Sequence, residues 1–91
     1  MQVTVKFFAG WGASTQRATW DVTLPDGATF AALKAEVARR DPELHRRLEE
    51  ALAAGYVHAL LDGRNVRLLN GDRTVLAGGV TVAFLPPVSG G

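Results

Sequence analysis

With 91 residues, 47% of them apolar and 21% charged, the chain has room for one domain around one core, and its composition is that of a folded protein, neither disordered nor membrane-spanning. A formal charge of +1 offers no concentrated basic face for nucleic acid, and the lack of cysteine rules out a disulfide framework, a thiolate zinc site, an iron–sulfur cluster and a cysteine nucleophile. Apolar runs such as Ala59-Leu60-Leu61 are far too short to cross a bilayer, and Met1 opens a strand-like alternation where a secretory signal would carry a basic then an apolar stretch. The expected location is therefore the cytoplasm, with neither nucleic acid nor membrane as partner.

Met1, Val3, Val5 and Phe7 alternate with Gln2, Thr4 and Lys6, the period of a strand with one buried face. Gly10 to Thr15 reads as a loop containing Trp11, and Ala18, Trp20, Val22 and Leu24 then alternate with Thr19, Asp21 and Thr23 as a second strand, the hairpin partner of the first. Pro25-Asp26-Gly27 makes a turn, since proline fixes φ and glycine accepts a positive φ. Thr29 is placed to cap a helix with Phe30, Leu33 and Val37 on one stripe. Asp41-Pro42 ends that helix and starts another, because proline at the first helical position loses no hydrogen bond. Leu44, Leu48, Ala51 and Leu52 form the second helix's apolar face, and Gly55 suits its C-terminal cap.

Tyr56 to Leu61 reads as a strand, Asp62-Gly63 as a tight turn and Arg64 to Leu69 as a short returning strand. Asn70-Gly71-Asp72 marks another turn. Gly79 to Phe84 is the last strand, with Val80, Val82 and Phe84 on one face, and Pro86-Pro87 ends it because proline cannot donate to a ladder. The order β-β-α-(α)-β-β-β, with grouped helices, predicts an α+β fold: a mixed sheet of four to five strands with one main helix and a second short helix on one face, as in a β-grasp (ubiquitin-like) domain. Residues 1–85 form that domain and residues 86–91 an extended tail ending in Gly-Gly. A chance Gly-Gly at that point occurs in roughly one chain in two hundred at ordinary glycine usage of about 7%.

The tail carries a resemblance. Val82-Ala83-Phe84-Leu85-Pro86-Pro87-Val88-Ser89-Gly90-Gly91 resembles the end of the MoaD/ThiS family of ubiquitin-like sulfur carriers, nearest to its molybdopterin synthase small-subunit branch. Val3-Thr4-Val5-Lys6-Phe7-Phe8-Ala9 resembles the family's first strand, Leu24-Pro25-Asp26-Gly27-Ala28-Thr29 with Leu33 its strand-turn-helix segment, and Asp62-Gly63-Arg64 stands where the family has an Asn-Gly hairpin. The chain departs from the family at Gly10-Trp11-Gly12, where an Arg-Glu pair is frequent, and at Ala77-Gly78-Gly79, where Asp-Gly-Asp is common.

The resemblance implies that the Gly91 carboxylate is adenylated, converted to a thiocarboxylate and spent as a sulfur donor to a pterin precursor in molybdenum cofactor biosynthesis. It implies three partners: a MoeB-like, E1-type adenylating enzyme, a sulfurtransferase or cysteine desulfurase, and a MoaE-like large subunit of molybdopterin synthase. No cofactor is expected on the chain itself, ATP being used by the activating partner, and the chain alone is expected to have no turnover. A carboxylate resists nucleophilic attack until an oxygen is made a leaving group, which is why the route needs ATP.

Gly90 and Gly91 leave the carbonyl carbon unobstructed for a narrow partner channel. Pro86 and Pro87 favour an extended exit, and residues 86–91 at about 3.3 Å each reach roughly 20 Å, with Val88 and Ser89 completing the threaded segment. Proline there also serves as a simple strand terminator. Phe8 and Leu85, in the strand phase opposite Phe7 and Phe84, and Trp11 in its glycine-bounded loop are candidate partner-docking residues, set against ordinary exposed apolar surface or local packing. Arg39-Arg40 and Arg46-Arg47 bracket the helical junction and either meet an acidic partner surface or, interleaved with Asp41, Glu43, Glu49 and Glu50, form solvated helix faces. His45 and His58 lack ligand spacing for zinc. Other outcomes for the same tail are sulfur delivery to thiamine, cysteine or transfer RNA and ligation to protein lysines as a ubiquitin-like modifier, while a non-covalent binding module would not need Gly90-Gly91 at all.

Overall fold

The computed structural model describes residues 1–8 and 18–86. In chain order it has β1 (Gln2–Phe7), β2 (Ala18–Thr23), α1 (Phe30–Arg40), α2 (Pro42–Ala54), β3 (His58–Leu61), β4 (Arg64–Asn65) and β5 (Thr81–Leu85), with single 3-10 turns at Val66–Leu68 and Gly71–Arg73 between β4 and β5. The strands form one sheet in the order β2-β1-β5-β3-β4, antiparallel except for the parallel β1–β5 pair. The β-grasp expected from the element order is the fold observed, except that the second helix, expected to be short, is the longer of the two, 13 residues against 11.

Alternation in β1 buries Val3, Val5 and Phe7, and the register sets Val3 against Val22 and Phe7 against Phe84. These side chains meet Phe30, Leu33 and Val37 of α1 and Leu44 and Leu48 of α2 in one core. Phe7 stacks on Phe84 with centroids 5.4 Å apart and meets Trp20 edge-on at 5.0 Å, while Phe30 leans on Phe84 at 6.1 Å. Each buried aliphatic or aromatic side chain contributes about 1.5–3 kcal/mol.

The helix boundaries follow their caps. Thr29 Oγ1 accepts from Ala32 N at 3.3 Å. Asp41 does double duty: its N–H donates to the Val37 carbonyl at 2.8 Å to close α1, and its Oδ1 accepts from Leu44 N at 3.0 Å to open α2 ahead of Pro42. At the far end Gly55 adopts φ +83°, and the Gly55 and Tyr56 N–H groups donate to Leu52 and Ala51 in a Schellman arrangement.

Three expected bounds change. Tyr56 is spent on the α2 cap, so β3 begins at His58. The returning strand stops at Asn65, because the Asn65 side chain accepts from Arg67 N at 3.0 Å and turns the chain into a 3-10 turn. Strand β5 begins at Thr81, since Gly79 sits at φ +86° in a turn tied by its N–H to the Gln2 carbonyl at 2.8 Å.

Candidate functional site

The segment that leads to the tail is held at the centre of the sheet. Strand β5 pairs with β1 on one side and β3 on the other, and Val82 and Phe84 are fully buried anchors on its core face. Leu85, next in sequence, is half-buried, and Pro86 is exposed. The chain therefore leaves the domain from a strand fixed on both edges. Pro87, Val88, Ser89, Gly90 and Gly91 lie outside the described residues, as do the expected loop and its Trp11.

Phe8 and Leu85 are brought together. Phe8 N donates to the Phe84 carbonyl at 3.4 Å, which carries the β1–β5 pairing one residue past Phe7 and sets Phe8 beside Leu85. Across the other edge Leu85 pairs with His58. Strand alternation gives Phe8 and Leu85 the phase opposite the core, and both, with their register neighbour His58, are half-buried. The next row holds Lys6, Ala83 and Leu60, and the one after it Thr4 and Thr81. The face away from the helices is thus most apolar where the chain departs and becomes polar with distance from that point. His58 was not legible as part of this row, since its place depends on β3 pairing with β5, which periodicity does not encode.

On the helix side a cleft of about 360 Å³ is lined by Phe30, Lys34, Glu49, Leu52, His58 and Asp72 among others. Lys34 Nζ lies 2.8 Å from Asp72 and 3.0 Å from Glu49, and 5.3 Å from the Phe30 ring centroid. Burial pulls the Lys34 pKa down, but hydrogen bonds and charge from Asp72 and Glu49 outweigh it and hold the ammonium above its ordinary value. Lys34, Glu49 and Asp72 are thus spent on one another, while Arg67 also lines the cleft. Among the described residues no group of three His, Cys, Asp or Glu side chains could hold a metal ion, and no helix is long and apolar enough to cross a membrane.

Fold and exit geometry define a ubiquitin-like β-grasp protein whose C-terminal strand is central to its sheet. The sequence matches the ThiS family over residues 5–91, and the chain belongs to that family. Its class is that of ThiS/MoaD-like ubiquitin-like sulfur carriers or modifiers, proteins that work with E1-like enzymes. The crystal structure of SAMP1 from Haloferax volcanii is similar over 100% of both chains, at TM-score 0.67 and 23% identity, a likeness of fold alone. The solution structure of the Haloferax volcanii HVO 2177 protein covers 100% of this chain and 87% of its own, at TM-score 0.64 and 27% identity. No curated protein matches the sequence.

Proposed function

We propose that this chain is a sulfur carrier acting as the small subunit of molybdopterin synthase, with Gly91 as the reacting residue and Phe8 and Leu85 as its docking contacts. The observation that carries the reading is the family match running through residue 91 on a chain whose central β5 delivers Leu85-Pro86 to the domain's edge. In an E1-type enzyme the Gly91 carboxylate attacks the α-phosphorus of ATP and expels pyrophosphate. A persulfide sulfur from a sulfurtransferase or cysteine desulfurase then displaces AMP, and a thiol cleaves the resulting acyl disulfide to leave the thiocarboxylate. That anionic, polarisable sulfur is the nucleophile handed to the pterin precursor inside the large subunit. Gly90, Ser89, Val88, Pro87 and Pro86 form the segment threaded into each partner, and the chain itself holds no cofactor.

Incubation with the adenylating enzyme, ATP and a sulfur donor is expected to give intact protein heavier by one oxygen-to-sulfur exchange, and a chain lacking Gly90-Gly91 is expected to stay unchanged. Absence of the exchange where a control carrier reacts would falsify the reading. Membership of the ThiS family also supports a second acceptor, such as thiamine, cysteine or transfer RNA. Thiocarboxylated protein that binds the synthase large subunit but forms no dithiolene from the pterin precursor would favour that branch, and Gly91 isopeptides recovered from cells would favour a protein modifier.

A further inference from the structure

The chain carries two lysines, Lys6 and Lys34, against eight arginines. A guanidinium stays protonated and is not acylated under conditions where an amine is, so most of the basic surface is inert toward an activated carboxyl group. The remaining amines are unequal. Lys34 has a side chain only 13% exposed and an ammonium held between Glu49 and Asp72. The Met1 ammonium donates to the Leu24 carbonyl at 2.8 Å and lies 3.5 Å from Asp26. Lys6 is exposed, and among the described residues its ammonium has no hydrogen-bond or ion-pair partner. It stands opposite Ala83, on the sheet face that presents Phe8 and Leu85.

We infer that Lys6 is a modification site, the amine acylated by the activated Gly91 of a second copy of this chain. The inference rests on the reading that Gly91 is activated as an acyl-adenylate from ATP. Lys6 Nζ, having lost one proton to solvent, attacks the Gly91 carbonyl carbon. The bond from that carbon to the AMP oxygen breaks, AMP leaves with the electron pair, and the nitrogen's second proton passes to solvent, giving an amide with no redox change. A second copy supplies the amine because in the activated copy Lys6 shares the face that docks on the activating enzyme.

The test uses the full chain, its Lys6→Arg and Lys34→Arg variants, an E1-type adenylating enzyme and ATP, with no sulfur donor. A parallel arm with hydroxylamine reads activation alone, as protein heavier by one NH at Gly91. In the main arm the expected product is a covalent dimer whose tryptic digest contains residues 1–17 branched to residues 74–91, with fragment ions placing the branch on Lys6. Lys6→Arg, which keeps the charge at an exposed position, is expected to lose the dimer, and Lys34→Arg to retain it. Hydroxamate with no amide, an amide on Met1 or Lys34, a monomer closed on its own tail, or a dimer that survives Lys6→Arg would each overturn the inference while leaving activation intact. No hydroxamate would overturn the activation reading and this inference with it.

Discussion

Single residues set the boundaries on which the exit geometry depends, and Asp41 is the most heavily used. It closes α1 through its N–H and opens α2 through its carboxylate, so Asp41→Ala is expected to cost about 1 kcal/mol, read as a lower urea midpoint with unchanged slope, while Asp41→Asn keeps most of it. Glu36 is the clearest titration probe. Hydrogen bonds from Arg39 and then Arg40 hold its carboxyl down from 4.5 to about 2. A depressed carboxyl favours the fold above its unfolded value and loses that contribution as pH falls through the folded one, here between 4.5 and about 2. Carboxyl NMR should place the Glu36 midpoint at the low end of that window, and the Arg39→Ala, Arg40→Ala pair should return it toward 4.5. These local features were legible in sequence where one residue type has one use: Asp-Pro at a helix junction, Gly55 at a left-handed cap. Tyr56 was misread as strand because its N–H is claimed by the Ala51 carbonyl, a bond that hydrophobic alternation does not register.

Among the elements, β5 joins the core to the proposed chemistry. Phe84 contacts Phe7 and Phe30 with no exposed surface, so Phe84→Ala should cost about 3–5 kcal/mol, a large share of the roughly 5–15 kcal/mol available to a small domain. A thermal melt would register this as a fall in Tm, and a melt unchanged by Phe84→Ala would contradict the packing described. Strands β1, β2 and β5 could be found from alternation because each buries one face. Their order could not, since the parallel β1–β5 contact joins the two ends of the sequence and follows from the β-grasp fold as a whole, not from periodicity. For the same reason Phe8 and Leu85 could be named individually, whereas their adjacency and the neighbouring His58 required the observed register.

At the scale of the whole molecule, stability and chemistry should separate cleanly. Val82 and Phe84 anchor the chain before Pro86, so removal of residues 87–91 is expected to leave the melting temperature unchanged while abolishing adenylation. Leu85→Asp should weaken capture by the adenylating enzyme about tenfold or more, the loss of roughly 1.4 kcal/mol or more at an apolar contact, and titration calorimetry of the folded variant would measure it. The composition had bounded one domain and excluded cysteine chemistry, but a lone chain cannot reveal what docks on its open face. The two-sided pairing of β5 also has a mechanical consequence. A pull applied through the tail, as when a spent carrier is drawn from a tight channel, runs along a strand hydrogen-bonded to β1 and β3 at once. Those bonds lie across the strands, so they bear the load together in shear instead of peeling apart one by one, and the domain can be tugged free without unravelling.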